Sequence, residues 1–305
     1  MTKTKSETAG LFCLFAVYFL WGSTYLGIRL AVESIPPMIA AMGRHLFGGA
    51  VLAAGLFALG KWERPSAAES VRALGVGALT AGISNGALMW SEVNVPSAYA
   101  SIAFTTMPLF LLLFNWALFE KVRPSAFDFI ALPIGLLGSC LVIGTGKALS
   151  GESIQFFDMA LLVVCPSVWA FGSLLGRRLK MPKNILASSS LQMLGGALLL
   201  VVLSGCHGDW ARFSFENVTQ RSFWGLTYLA IGGSLLGYTA FAVAIRNLDP
   251  FLVSSYAFVN PIIAVSLGYF FGERIGAPSI LGGSALSITS VFLTFIGARH
   301  RSARK

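Results

Sequence analysis

The chain has 305 residues, of which 55% are hydrophobic and 11% are charged, and its formal net charge is +9. A soluble globular domain carries roughly 25% charged residues, so this composition excludes a soluble enzyme, a secreted disulfide scaffold and a disordered chain. A membrane-spanning helix needs about 20 apolar residues, and the chain holds enough for about ten such helices. We therefore predict an all-α integral membrane protein that crosses the lipid bilayer many times.

Ten apolar segments follow one another along the chain, and turn residues or charges separate them. The longest connection, at about residues 206–221, is too short to form a domain of its own, so any function must reside within the membrane. The predicted segments cover residues 11–31, 37–59, 71–91, 97–119, 126–145, 157–176, 185–205, 222–244, 251–271 and 278–297.

The basic residues are distributed unequally between the two sides of the membrane. Sixteen lysines and arginines fall on the side of the amino terminus, and five fall on the other side. Cytoplasmic loops carry the excess of basic residues, so we expect both termini in the cytoplasm. The basic residues of these loops account for the positive net charge. We therefore predict no nucleic-acid partner, because binding nucleic acid would require a basic face on a soluble domain.

The two halves of the chain, residues 1–146 and 147–305, share a sequence pattern. A shift of 153 residues aligns Pro108 with Pro261 and Glu120 with Glu273, and each half contains five predicted helices. An odd number of helices places the second half in the membrane in the opposite orientation. We therefore predict two inverted five-helix repeats, the arrangement of alternating-access transporters that bind their cargo near the membrane midplane.

Three local features carry a family resemblance. Residues 21–25 read Trp-Gly-Ser-Thr-Tyr, Arg44 lies in the second helix, and the fourth and ninth helices end in a proline followed by eleven residues and a glutamate. Together with the repeat, these features resemble the drug/metabolite transporter superfamily, EamA type. The resemblance implies ten membrane helices in a bacterial-type inner membrane, and export of amino acids, including aromatic ones, or of other small metabolites. His45 departs from the Arg-Phe pair that is common in this helix.

Polar side chains inside apolar segments are costly in hydrocarbon, so each is a candidate for the cargo site. Arg44 either binds a carboxylate of the cargo, or it caps backbone carbonyls or extends its aliphatic stem towards the membrane surface. His45 is either a cavity residue or a satisfied core residue. A shift of 147 residues places His45 opposite Gln192, and the shift of 153 residues places Asn85 opposite Tyr238. Matching polar positions in both halves favour a cavity over simple helix–helix hydrogen bonds.

Aromatic and soft side chains complete the predicted site. Deep tryptophans and tyrosines suit an amphipathic organic cargo, whereas Trp90 and Tyr99 lie near segment ends and also fit an interfacial belt. Pro108 and Pro261 lie within the fourth and ninth helices and are predicted hinges. The predicted substrate-binding residues are Trp21, Arg44, His45, Asn85, Met89, Trp90, Tyr99, Trp169, Gln192, Tyr238, Tyr256 and Asn260.

The sequence contains no enzyme signature such as His-Glu-x-x-His, a Walker A loop or Gly-x-Ser-x-Gly, and its cysteines show no metal-ligand spacing. We therefore predict a transporter without catalytic residues, metal or cofactor, and the alternative from another class is an intramembrane enzyme. None of the 13 acidic residues falls at the centre of a segment. Facilitated transport without obligatory ion coupling is thus expected, and proton-coupled efflux is the alternative.

Overall fold

The computed structural model describes residues 2–121, 124–150 and 156–271 and parts of 282–297. Every regular element within these ranges is helical, which confirms the predicted all-α class. The α-helices are α1 (Thr2–Gly22), α2 (Thr24–Ala31), α3 (Pro37–Ala58), α4 (Ala67–Gly77), α5 (Asn85–Ser91), α6 (Ser97–Ala103), α7 (Met107–Ala117), α8 (Ala126–Ser150), α9 (Phe156–Arg178), α10 (Ile185–His207), α11 (Asp209–Arg212), α12 (Gln220–Tyr228), α13 (Thr239–Asn247), α14 (Pro250–Val253) and α15 (Tyr256–Phe270).

Many of the predicted membrane segments coincide with apolar helices of sufficient length. In the described ranges, six stretches are long and apolar enough to span a bilayer: Ser6–Ala31, Pro37–Ala58, Ala67–Ser91, Phe156–Arg178, Ile185–His207 and Gln220–Asn247. Shorter apolar helices occupy Phe104–Ala117, Ala126–Gly138 and Tyr256–Phe270. Only parts of the segment predicted at 278–297 belong to the described residues, so the count of ten membrane helices remains a prediction.

Two of the spanning stretches contain a π-helical segment near their centre. The first π-segment (Ala78–Ser84) joins α4 to α5, and the second π-segment (Leu229–Tyr238) joins α12 to α13. The shift of 153 residues between the halves places the first π-segment on residues 231–237, inside the second. π-Turns are rare and are frequently found at functional sites. The apolar pattern over 71–91 and 222–244 does not indicate these interruptions.

Glycines bring α4 and α10 into direct backbone contact. A Cβ atom on Gly77 of α4 would lie 1.8 Å from the carbonyl oxygen of Gln192, and one on Gly195 of α10 would lie 2.1 Å from that of Leu74. Any side chain at these positions would overlap the neighbouring backbone, so the helices can cross this closely because glycine is present. The crossing joins the first half of the chain to the second.

Ser23 stands between α1 and α2 in the first spanning stretch, and backbone hydrogen bonds from Ser23 N to Phe19 O and from Gly27 N to Ser23 O continue across it. The hydroxyl of Ser23 donates to the carbonyl of Phe19 at 2.6 Å and is also hydrogen-bonded to the hydroxyl of Tyr228 on α12. Tyr228 is exposed on the outside of the helix bundle, so in a membrane it faces hydrocarbon, where no water can replace a lost partner. This bond joins the first spanning stretch to the second half of the chain.

The two predicted hinge prolines occupy different settings. A 3₁₀ turn (Phe104–Thr106) separates α6 from α7, and Pro108 lies in the first turn of α7. Helical turns are continuous from α6 through the 3₁₀ turn into α7, so Pro108 lies inside the predicted fourth helix, where the 3₁₀ turn gives way to α-helix. Pro261 lies inside α15. Hinge motion at either proline remains a prediction.

Candidate functional site

A deep cavity of about 40 Å³ lies between helices of both halves. Eight of its lining residues belong to the predicted site: Trp21, Arg44, His45, Asn85, Trp169, Tyr238, Tyr256 and Asn260. The remaining lining residues are Thr24, Tyr25, Ile28, Leu88, Phe104 and Gly233. Polar and aromatic residues that are far apart in the sequence are thus gathered around one space inside the membrane-spanning region.

Aromatic rings form one wall of the deep cavity. The ring centroid of Trp21 lies 5.2 Å from that of Trp169 and 5.0 Å from that of Tyr256, both in edge-to-face orientation. Phe241 of α13 lies 4.9 Å from Trp21 and completes the cluster. The Nε1 of Trp21 donates to the carbonyl of Gly233 at 3.0 Å. The indole ring is therefore fixed to the second π-segment, and the wall is both apolar and well packed.

Arg44 of α3 brings a positive charge to the deep cavity while being only 3% exposed. Its Nε donates to Ser234 Oγ at 2.9 Å, and a Cβ atom on Gly233 would lie 2.5 Å from its Nη2. No carboxylate lies within salt-bridge distance of Arg44 in the described part of the chain. A guanidinium presents a planar fork of donors that matches a carboxylate, so this side chain can receive an anionic group.

Four buried polar atoms at the deep cavity have no hydrogen bond of acceptable geometry within the described ranges: His45 Nε2, Trp169 Nε1, Tyr256 Oη and Asn260 Oδ1. Tyr256 lies close enough to Trp169 to interact, and Asn260 lies close enough to Tyr25, but the four polar atoms do not meet the distance and angle of a hydrogen bond. A buried polar atom without a partner costs about 1–3 kcal/mol. Donors and acceptors that converge on one space in this way can be satisfied by a polar ligand.

A second and larger cavity, which we call the vestibule, has a volume of about 370 Å³ and reaches the connection between α9 and α10. Tyr238 lines both cavities and forms part of the partition between them. Its hydroxyl is hydrogen-bonded to Thr80 Oγ1 at 2.7 Å and to Gln192 Oε1 at 3.2 Å. Thr80 lies in the first π-segment and Tyr238 ends the second, so the two π-segments meet at this partition.

Comparisons with known proteins agree with this architecture. The sequence pattern of the EamA-like transporter family matches residues 8–144 and again residues 157–296. The chain is also 36% identical over 265 residues to the uncharacterized inner membrane transporter YedA of Escherichia coli (strain K12), which covers 85% of this chain and 81% of that protein. The chain belongs to the EamA-like transporter family.

Two further similarities extend over nearly the whole of this EamA-like transporter. A probable amino-acid metabolite efflux pump of Salmonella typhimurium is 23% identical over 309 residues, covering 96% of this chain and 97% of that protein. A crystal structure with 19% sequence identity superposes with a TM-score of 0.74 over 96% of this chain and 99% of the other, so the two share a fold. The chain is a membrane transporter with a small-molecule cargo, as predicted.

Three of the predicted binding residues, Met89, Trp90 and Gln192, do not line the deep cavity. Met89 is fully buried in helix packing, and Trp90 packs edge-on against the ring of His207 with centroids 4.5 Å apart; neither lines either cavity. Gln192 lines the vestibule, and the side chain of Tyr99 lies outside the described residues. A methionine or a tryptophan near a helix end occurs in the same sequence pattern whether it packs against other helices or binds a ligand. The sequence therefore could not distinguish the two roles.

Three acidic residues of the transporter lie at helix ends, as predicted, and all three are buried. Glu92 directly follows α5, and its charge acts on Arg44. Asp158, in the first turn of α9, accepts a hydrogen bond from Asn94 Nδ2 at 3.2 Å, and Asp128 caps the start of α8. Glu92 is thus within electrostatic range of a residue that lines the deep cavity.

Thr80 is absent from the predicted site, although it anchors Tyr238. It lies five residues before Asn85, whose Nδ2 donates to the Thr80 carbonyl at 3.1 Å. With the 3.6-residue period of an α-helix these two positions would face different directions, and the wider π-turn brings them together. A spacing of five between polar residues inside a spanning segment is the signal that could have indicated Thr80.

Proposed function

We propose that this transporter exports amino acids, aromatic and apolar ones included, and related small amphipathic metabolites across the inner membrane. The cargo binds in the deep cavity between two inverted five-helix repeats, residues 1–146 and 147–305. Alternating access of the two repeats moves the cargo, and its own concentration gradient drives transport without obligatory coupling to an ion.

The observation that carries this proposal is the convergence of Arg44 and four unsatisfied polar atoms on one aromatic-walled cavity. A carboxylate suits the guanidinium fork, and an ammonium group suits an acceptor such as Asn260 Oδ1 or the face of an aromatic ring. The apolar part of an amino acid can lie against Trp21 and Trp169. A relative named as a probable amino-acid metabolite efflux pump supports the same class of cargo.

Sequence and packing both support the inverted repeat. The family pattern matches the chain twice, and the two π-segments overlap under the same shift of 153 residues. Gly48 of α3 and Gly195 of α10, which are 147 residues apart, each pack against the π-containing stretch of the other half, on Ser234 and Leu74 respectively. The excess of lysine and arginine in loops on the amino-terminal side supports cytoplasmic termini. The 36% identical relative is named an inner membrane transporter, which supports an inner-membrane location.

Single cysteines test the proposed orientation in intact cells, with the native cysteines replaced. A cysteine at Ser66 or Ser302 should be protected from a membrane-impermeant thiol reagent, because the count of basic residues places both positions in the cytoplasm. A cysteine at Ser214 should be labelled. Labelling at Ser66 and Ser302 but not at Ser214 would reverse the orientation.

Flux in proteoliposomes tests the cargo. The purified full-length protein should move at least one of the twenty labelled amino acids down its gradient faster than protein-free liposomes do. Asn260→Ala should reduce this flux several-fold, because a hydrogen bond to a ligand is worth about 0.5–1.5 kcal/mol and more if the ligand group is charged. Flux that never exceeds the protein-free rate for any amino acid would refute this cargo class.

Asn115→Ala is the matched control for Asn260→Ala. The Oδ1 of Asn115 is also buried without a hydrogen-bond partner, but Asn115 lines neither cavity. Its substitution should therefore leave flux unchanged. Equal losses in the two variants would indicate a general effect on packing.

Proton-coupled efflux is the second candidate, because the buried Glu92 lies in electrostatic range of Arg44 and His45 lines the deep cavity. Ionisable residues inside a membrane protein often mark proton pathways. Flux is therefore measured first without gradients and then with an imposed pH gradient. Accumulation of cargo above its equilibrium level under the pH gradient would establish coupling in place of facilitated transport.

A further inference from the structure

The vestibule is large enough for a cargo in the conformation described here, and the deep cavity is not. A water molecule needs about 10–15 Å³ of cavity space, so the deep cavity, at about 40 Å³, has room for a few waters. Small-molecule sites usually measure about 300–1,000 Å³, and the vestibule, at about 370 Å³, falls within that range. An organic cargo that enters this conformation therefore has to stop in the vestibule.

Ser173 of α9 supplies a polar group to the vestibule that nothing in the described part of the chain satisfies. The residue is 7% exposed, it lines the cavity, and its Oγ has no hydrogen-bond partner. Elsewhere in the lining, Gln192 Nε2 donates to Ser188 Oγ at 3.1 Å, and both of these residues line the same cavity. The lining of the vestibule thus includes a free buried hydroxyl and a pair of hydrogen-bonded polar side chains.

The charged residues that line the vestibule are Arg177, Arg246 and Glu120. Backbone contacts hold both arginines in place: Arg177 Nη1 donates to the carbonyl of Leu248 at 3.1 Å, and Arg246 Nη1 donates to that of Lys183 at 2.8 Å. Two cations and one anion leave an excess positive charge. A partly enclosed cavity with such a charge attracts anionic groups.

We infer that the vestibule is a second binding subsite, which holds a carboxylate-bearing amphipathic metabolite of amino-acid size before Tyr238 moves and admits it to the deep cavity. This inference rests on the proposed function. The carboxylate faces Arg177 and Arg246, the apolar part lies against Phe241, and an ammonium or hydroxyl group of the cargo meets Ser173. Phe241 lines the vestibule and also packs on Trp21 of the deep cavity, so the cargo touches the partition it has to pass.

The first test measures the reaction of a single cysteine in the full-length protein, with the four native cysteines replaced by alanine. Ser173→Cys is treated with two methanethiosulfonate reagents, one with a sulfonate and one with a trimethylammonium group, and each rate is divided by the rate with a small free thiol. We expect the anionic reagent to be favoured several-fold. Glu120→Gln should raise this preference and Arg246→Gln should lower it. A preference for the cation, or one that neither substitution changes, would contradict the inference.

Two matched cysteines test the geometry. Ser189 also has a buried Oγ without a partner but lines neither cavity, so Ser189→Cys should not react. Asn85→Cys lies in the deep cavity and should react only when Tyr238→Ala removes the partition. A reaction of Asn85→Cys as fast as that of Ser173→Cys with Tyr238 intact would show that the two cavities are not separate.

Competition tests binding itself. Each of the twenty amino acids is added to Ser173→Cys, and at least one should slow its modification several-fold, whereas the methyl ester of the same amino acid should not. Failure of every amino acid to protect would overturn the second subsite. If amino acids are transported but none protects the cysteine, the vestibule subsite is rejected and the proposed function stands. If an amino acid protects the cysteine but none is transported in proteoliposomes, amino-acid transport is rejected and the subsite stands.

Discussion

The crossing of α4 with α10 and the crossing of α3 with the second π-segment both join the two halves through glycine, but their contacts differ. At the first crossing, Gly77 and Gly195 face backbone atoms with no room for a methyl group. At the second, a Cβ atom on Gly48 would lie 3.1 Å from Ser234 Cβ, and Arg44, one turn earlier on α3, reaches Ser234 Oγ. The first crossing is backbone packing, and the second carries side chains of the deep cavity.

The difference follows from the residues that stand at matching positions. Under the shift of 147 residues, Arg44 on α3 corresponds to Leu191 on α10. The buried positive charge is therefore present on one member of this helix pair and replaced by an apolar side chain on the other. This difference between a charged position and an apolar position matches a cargo that has one anionic end and one apolar end. Under the proposed function, one crossing serves packing and the other serves cargo binding.

Gly77→Ala should have the largest effect, because it blocks the packing crossing. Its new Cβ would lie 1.8 Å from a backbone oxygen, which cannot move aside as a side chain could. Overpacking typically costs about 1–3 kcal/mol and occasionally more, and we expect the high end here, with a lower midpoint of thermal unfolding and less monodisperse protein after purification. Gly75→Ala is the matched control, since nothing lies within 4 Å of its Cβ. Equal stability of the two variants would refute the packing role.

Arg44→Ala should have the next largest effect, on transport, because it removes the charge from the binding crossing. Hydrogen bonds to a charged group are worth about 1.5–3 kcal/mol, which corresponds to a loss of roughly tenfold to a hundredfold in flux. Arg44→Lys keeps the charge but not the planar fork and should retain part of the activity. Flux is compared at equal amounts of folded protein in proteoliposomes. Normal flux in Arg44→Ala would assign this arginine to packing alone.

Thr80→Val and Tyr238→Phe should have the smallest effect, because both remove the neutral hydrogen bond between the π-segments. Tyr238→Phe also removes the neutral bond to Gln192 Oε1. Such a bond contributes about 0.5–1.5 kcal/mol, so a several-fold change in flux is expected with little change in thermal stability. The double variant should differ from the sum of the single variants, since the two side chains are in contact. Additive effects in this double-mutant cycle would mean that the contact between Thr80 and Tyr238 does not control transport.

Hydropathy was sufficient to predict much of the fold. The apolar runs at 37–59 and 157–176 differ by only a few residues from α3 and α9, because burial in hydrocarbon is a strong and continuous constraint. The π-segments could not be predicted in this way. They differ from α-helix in the partner of each backbone N–H, and the apolar composition of residues 229–238 is compatible with either geometry.

Part of the site was predictable because polar groups inside a membrane are costly. Arg44, Asn85 and Asn260 were found by this rule, and all three line the deep cavity. Met89 satisfies the same face pattern but only packs, because apolar side chains gain from burial with or without a ligand. The existence of two cavities was also not predictable, since the separation depends on where the Tyr238 ring lies, and the sequence does not define side-chain direction across helices.

The hydrogen bond between Ser23 and Tyr228 makes the first helix sensitive to its solvent. In hydrocarbon no competing partner is present, so the bond holds that helix against α12. In a detergent micelle, water that reaches the exposed tyrosine hydroxyl can replace Ser23 at little cost. The position of the amino-terminal helix is therefore best measured in lipid nanodiscs. There the hydroxyl of Tyr228 remains in hydrocarbon and stays paired with Ser23.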